Sequence, residues 1–174
     1  MEIRKAVQAD LDGIEKIYDR IHDGEARGLS TTGWLRGVYP TRRTAQDALS
    51  RGDLFVLTQD GAVAAAAIIN QTQVDVYKTA AWKHEAREEE VMVLHTLTVD
   101  PQLGGRGFGR AFVAFYEDYA RAHACPALRI DTNARNTRAR RLYKSLGYEE
   151  IDIVPCRFNG IPDVQLVCLE KYLG

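Results

Sequence analysis

Residues 91–110 read VMVLHTLTVDPQLGGRGFGR: an apolar run from Val91 to Val99, a turn at Asp100-Pro101, then four glycines between positions 104 and 109 ahead of a helical pattern. The apolar run fits a buried strand. The glycines leave backbone N–H groups bare at the start of the helix, and a strand, turn and helix arranged this way form an anion site. A phosphorylated cofactor is therefore expected on Gly104, Gly105, Arg106, Gly107, Phe108, Gly109 and Arg110.

Two familiar loops fail on this stretch. Gly104 and Gly109 have P-loop spacing, but Arg110 and Ala111 follow where Lys and Ser or Thr should stand, so no hydroxyl awaits a magnesium ion. The dinucleotide pattern GxGxxG places its third glycine on Arg110. A second stretch, LRIDTNARNTRARRLYKSLGY over 128–148, gives a short strand, Asn136 at a helix cap, Ala139, Leu142-Tyr143, and Gly147 before an aromatic residue.

Together the two stretches resemble the GNAT superfamily of acyl-coenzyme A dependent N-acyltransferases. Its pyrophosphate loop reads Gln/Arg-x-x-Gly-x-Gly/Ala, and its next helix carries Asn-x-x-Ala-x-x-Leu-Tyr-x-x-x-Gly-Phe/Tyr. The one departure is Gly104, which stands at the Gln/Arg position, so Arg106 or Arg110 and the backbone amides must carry more of the phosphate. The resemblance implies a single GNAT domain over 1–174, with a central twisted, mostly antiparallel mixed sheet splayed at its middle and flanked by helices. It also implies acetyl-coenzyme A, its pantetheine arm lying along Leu97, Thr98 and Val99 with the acyl group near Leu97, and Asn136 and Ala139 beside that arm. The implied reaction is direct transfer to a primary amine. A binding module that senses acyl-coenzyme A without turnover is the alternative.

Tyr143 is the expected proton donor to the departing thiolate, by resemblance and because it lies seven residues, two helical turns, beyond Asn136. A core aromatic beside Leu142 and Leu146 is its plainer role. His95 is a candidate base, since an unperturbed imidazole titrates at about 6.5; a satisfied structural histidine competes with that role. Glu88, Glu89 and Glu90 are weaker candidates, because a charge run before a strand is usually solvated. Trp34 and Tyr39 are expected to wall the acceptor pocket, with His22, Asp23 or Glu25 drawing in a cationic amine.

The remaining sequence bounds these expectations. In 174 residues, 45% of them hydrophobic, there is one core's worth of chain, and a net charge of −1 with interspersed signs announces no nucleic-acid partner. Residues 1–13 lack an apolar leader and no run reaches the roughly 18 apolar residues of a membrane span, which points to a cytoplasmic protein without a membrane partner. Cys125, Cys156 and Cys168 and the four histidines fall at no metal-ligand or disulfide spacing. The acceptor is expected to be a small-molecule or peptide amine, and a homodimer is a candidate assembly.

Taken in order, residues 2–7 suggest an edge strand, and Asp10 a cap for a helix buried through Leu11, Ile14, Ile17, Tyr18 and Ile21. Residues 22–39, with four glycines, suggest a functional loop. A helix follows from Pro40-Thr41, with Thr44 and Asp47 as its capping box and Ala45, Ala48 and Leu49 inward. Asp60-Gly61 marks a hairpin between strands 53–58 and 62–70. Residues 71–90 form an excursion over the sheet. Phe108, Phe112, Phe115 and Tyr119 mark a helix stripe, and 151–173 hold two strands joined through 156–162. The order β, α, α, β, β, β, α, β, α, β, β fits that implied fold.

Overall fold

The computed structural model describes residues 1–174. Its regular elements are β1 (Glu2–Lys5), α1 (Leu11–Ala26), α2 (Arg42–Arg51), β2 (Leu54–Gln59), β3 (Ala62–Asn70), β4 (Val91–Val99), α3 (Phe108–Ala122), β5 (Ala127–Asn133), α4 (Thr137–Ser145), β6 (Glu149–Phe158) and β7 (Ile161–Tyr172). This is the expected order. The strands form one open seven-stranded sheet, β1-β2-β3-β4-β5-β7-β6, in which only β4 and β5 run parallel.

Strand alternation divides the core. Phe55, Leu57, Met92, Leu94, Leu128 and Ile130 face α3 and α4, where Phe112, Val113 and Tyr116 meet them. Each such large side chain contributes roughly 1.5–3 kcal/mol by leaving water. On the opposite face α1 and α2 cover Leu54, Val56, Ala66 and Ile68. Residues 71–90 and the 34–39 loop cover the other half of that face, packing Tyr77, Trp34 and Tyr39 on Val91, Val93, Ile161, Val164 and Leu166.

Several local expectations are corrected. Helix α1 continues through His22, Gly24 and Glu25 to Ala26; Gly24 belongs to the helix because the returning chain packs on it, Leu29 N and Ser30 N both donating to its carbonyl. Asp10 makes no side-chain cap for α1; it accepts Val7 N at 2.8 Å and pairs with Arg4 at 2.7 Å. The capping contact of α2 runs from Thr41 N to Thr44 Oγ1, 3.0 Å, without Asp47. Strands β6 and β7 meet in a tight turn at Asn159-Gly160, both at positive φ, so Cys156 and Phe158 lie in the strand. The buried stripe of α3 is Phe108, Phe112, Val113, Tyr116 and Ala120, with Phe115 and Tyr119 at its margin. No helix is long and apolar enough to cross a membrane.

The sheet opens at its only parallel pair. Strands β4 and β5 are in register from Val91↔Ala127 to Leu94↔Ile130 and no further. Beyond that point β4 stays with β3 and β5 with β7. His95 and Asp131 are thus the first residues past the apex of a fork.

Candidate active site

A cavity of about 630 Å³ runs through the fork, from the glycine loop on one side to residues 29–34 and the β6–β7 turn on the other. The loop builds its upper end. Asp100 holds the turn by accepting Gln102 N at 3.0 Å, and it is itself paired with Arg20. Gly105 and Gly107 take φ of 82° and 80°, which L side chains rarely adopt. The N–H groups of Gly104, Gly105, Arg106 and Gly107 have no protein acceptor, and α3 begins at Phe108. Bare donors at a fifteen-residue helix start suit a diphosphate in both geometry and sign.

Gly104 differs from its neighbours. Its φ of −58° and ψ of 150° are open to any residue. What its missing side chain leaves is space for a neighbour: a Cβ there would lie 3.2 Å from Nη2 of Arg138 and 3.8 Å from Nη1. The Arg138 guanidinium, without an ion pair or hydrogen bond to the protein, sits where the missing Gln/Arg side chain would begin, a role that no motif at position 138 announces. Arg106 is exposed, and Arg110 donates to Ser145 Oγ at 3.0 Å. Gly109 brings α3 against α4, its Cβ position 3.2 Å from Leu142.

Along the fork the wall is Leu97, Thr98 and Val99 on β4 and Asp131, Thr132 and Asn133 on β5. Strand β4 carries a bulge, with Thr96 and Leu97 both opposite Ala67 and Thr96 at φ 52°. Positive φ is uncommon for a β-branched residue and marks strain. Tyr39 OH shares a hydrogen bond with Thr96 Oγ1, which ties the acceptor-side loop to the bulge. Asn136 caps α4 through Ala139 N at 3.2 Å. Tyr143, two turns on, lines the cavity, and its hydroxyl has no protein partner. Burial pushes that hydroxyl well above the ordinary tyrosine value, with the Asp131 charge adding to the effect, so it stays protonated.

His95 and Asp131 lean apart at the apex. Asn70 donates to Asp53 at 2.8 Å and its Oδ1 accepts Thr72 N, so the 2.9 Å contact with His95 assigns the imidazole proton to Nε2. Burial lowers the pKa of His95 to about 4, correcting the ordinary value expected from sequence. Asp131 accepts Tyr77 OH at 2.6 Å, and its burial raises the carboxyl to about 6 against the opposing pull of that bond. Sequence reasoning missed this residue; the signal was two charges, Arg129 and Asp131, on one face of a strand that residues 71–90 cover.

Trp34 and Tyr39 line the cavity, edge to face at 5.9 Å. His22 and Glu25 do not, which corrects their expected part in drawing in the amine. The His22 ring is buried in α1, with Nε2 on the Pro40 carbonyl at 2.9 Å. Glu25 instead clasps the loop, accepting Thr32 N at 3.0 Å and Gly33 N at 3.2 Å.

The fork, the bare loop and the cavity through them define a protein that takes a long phosphorylated cofactor between two strands. The family model of GNAT acetyltransferases matches residues 18–148, and the chain belongs to that family. An uncharacterised N-acetyltransferase of Methanocaldococcus jannaschii is 32% identical over 73 residues, 42% of this chain, and the match spans about a third of that relative's length. A GNAT acetyltransferase structure from Streptococcus agalactiae superposes with a TM-score of 0.81 at 23% identity, over 98% of this chain and 94% of that one. The ribosomal-protein-alanine N-acetyltransferase of Brucella melitensis does so at 0.73 and 20%, over 99% and 100%. YncA of Salmonella typhimurium, solved with its cofactor acetyl-CoA, gives 0.72 and 19%, over 100% and 94%.

Proposed function

We propose that the protein moves an acetyl group from acetyl-coenzyme A to a primary amine by direct attack, without an acyl-enzyme. The observation that carries this is the continuous path from the unpartnered amides of residues 104–107, along Leu97–Val99, to the free hydroxyl of Tyr143. The cofactor bound to YncA supports the choice of donor. The name of the Brucella protein refers to an alanine amine of a protein, which supports an amine acceptor.

The cofactor supplies the thioester. The 104–110 loop and Arg138 hold its diphosphate, with Arg138 replacing the side chain absent at Gly104. The bulge at Thr96–Leu97 interrupts the regular pairing of β4, and a backbone N–H freed there would stabilise the negative charge that gathers on the thioester oxygen as the amine nitrogen attacks. Tyr143 protonates the departing sulfur. The amine's proton goes to Asp131: a carboxylate titrating at about 6 is a stronger base than an imidazole titrating at about 4. His95 is then a neutral wall group that fixes the apex through Asn70.

The test is incubation with acetyl-coenzyme A and a broad amine panel, following free thiol and product mass together. Acetylated amine with equal thiol is expected. No product from any amine, with coenzyme A still bound, would leave the protein a sensor of acyl-coenzyme A.

A further inference from the structure

Asp131 is the odd group in this cavity. Its carboxylate is recessed at the apex of the fork, has the Tyr77 hydroxyl as its one protein hydrogen bond, and takes part in no ion pair. A recessed carboxylate that ionises without a cation is costly, and a cationic ligand would relieve that cost.

Part of the cavity wall is apolar. Buried Ile161, Val164 and Leu166 and half-buried Trp34, Tyr39 and Phe158 belong to one packed cluster and line the same cavity. The cationic side chains of the cavity lie on other elements. Arg20 is paired with Asp100, and Arg27 donates to the Asp23 carbonyl at the end of α1. Arg106, Arg110 and Arg138 belong to the glycine loop and the starts of α3 and α4. A carboxylate beside the bound amine would therefore meet Asp131 and find no counter-charge in the apolar cluster.

We propose that the acceptor is an organic ammonium with an apolar group next to its nitrogen and no free carboxylate beside it, its nitrogen seated on Asp131 and its apolar part among Trp34, Tyr39, Phe158 and Ile161. The proposal rests on the acetyl-transfer reading for its chemistry but concerns binding, and it can be measured without turnover. On binding, the ammonium donates to Asp131 while Tyr77 keeps the other hydrogen bond of the carboxylate. The cofactor arm shares the 630 Å³, so the acceptor's buried part is compact. The same chemistry is found in a free arylalkyl or alkyl amine and in a peptide whose first residue is apolar.

Calorimetry on the protein saturated with coenzyme A tests this with matched probes: phenethylamine, phenylalaninamide, a phenylalanine-led peptide, phenylalanine and ethanolamine. Phenethylamine or phenylalaninamide should bind at least about tenfold more tightly than phenylalanine and ethanolamine, since desolvating a carboxylate beside Asp131 without a counter-charge, or losing the burial of a ring, each costs at least that much. Asp131→Asn keeps an acceptor for Tyr77 and should weaken the favoured amine about 10- to 100-fold while coenzyme A affinity stays within twofold. Preference for the peptide over phenethylamine would place the acceptor on a peptide N-terminus, and the reverse preference on a free amine. Phenylalanine or ethanolamine binding as well as phenethylamine would overturn the proposal, as would unchanged amine affinity in folded Asp131→Asn. Should that variant not fold, the probe series on the unaltered protein decides alone. Amines that bind in the expected order but are never acetylated would refute the transfer reading and leave this inference standing; acetylation confined to zwitterions or hydrophilic polyamines would do the opposite.

Discussion

Replacing Arg138 by Ala should weaken coenzyme A binding, and restoring a polar side chain at position 104 should recover it. Arg138 is exposed and unpaired, with Nη2 3.2 Å from where a residue-104 Cβ would stand. A charge-assisted hydrogen bond to phosphate is worth about 1.5–3 kcal/mol, and solvent screening at an exposed site reduces this to about 1–2 kcal/mol, or roughly 5- to 30-fold in Kd. Gly104→Gln alone should be tolerated, because the backbone there accepts any residue and the atom it crowds is the far end of a flexible side chain. In the double variant the introduced glutamine side chain would occupy the space Arg138 vacates, so the loss should shrink to less than about half of its value in free energy. Calorimetry with coenzyme A and with pantetheine makes the comparison, since pantetheine lacks the phosphates. Equal coenzyme A affinity in Arg138→Ala, or an equal loss for both ligands, would refute the diphosphate contact.

Other outcomes follow from the same geometry. Tyr143→Phe should lower turnover about 10²- to 10⁴-fold with coenzyme A affinity nearly intact, the range for a lost general acid; unchanged turnover would return Tyr143 to the core. Gly107→Val should abolish coenzyme A binding in a folded protein, because φ of 80° strains a β-branched residue and disturbs the bare amides; calorimetry with circular dichroism checks it. Initial rates at limiting acceptor should rise with pH through about 6 as Asp131 ionises, and Asp131→Asn should remove that inflection while His95→Gln keeps it. Stability should carry two opposed slopes. His95, lowered from 6.5 to about 4, makes the folded state gain stability as pH rises through that window; Asp131, raised from 3.8 to about 6, makes it lose stability over nearly the same window. Each effect is on the order of 3 kcal/mol by linkage, so they nearly cancel. Denaturant titrations should show stability rising between pH 4 and 6 in Asp131→Asn and falling there in His95→Gln.

Local rules made the element order and the cofactor loop legible. Asp60 and Gly61 both sit at positive φ, as a two-residue hairpin demands, and the glycines at 105 and 107 occupy the left-handed region that no bulkier residue fills well. The misses came where a distant partner decides a residue's role. Glu25 has the charge to draw in an amine, yet its oxygens are held by Thr32 and Gly33. His22 shares that expected role, yet it fastens the Pro40 carbonyl. Arg138 stands among Arg135, Arg140, Arg141 and Lys144 in the sequence, and only the approach of α4 to the glycine loop singles it out.

Asp131 shows the same limit most sharply. In the run Leu128-Arg129-Ile130-Asp131 the alternation is that of a strand with one wet face, and the ordinary inference is that both charges are solvated. The fold covers that face with residues 71–90 and spreads β5 from β4 one residue before Asp131. The first change removes water from the carboxylate and brings Tyr77, 54 residues away in the chain, onto it. The second opens the cavity beside it. Neither change acts on the local sequence, so no motif around residue 131 could report them. The second is read from the register: β4 and β5 pair from Val91↔Ala127 to Leu94↔Ile130, and the first side chains beyond that parting are exposed to whatever enters.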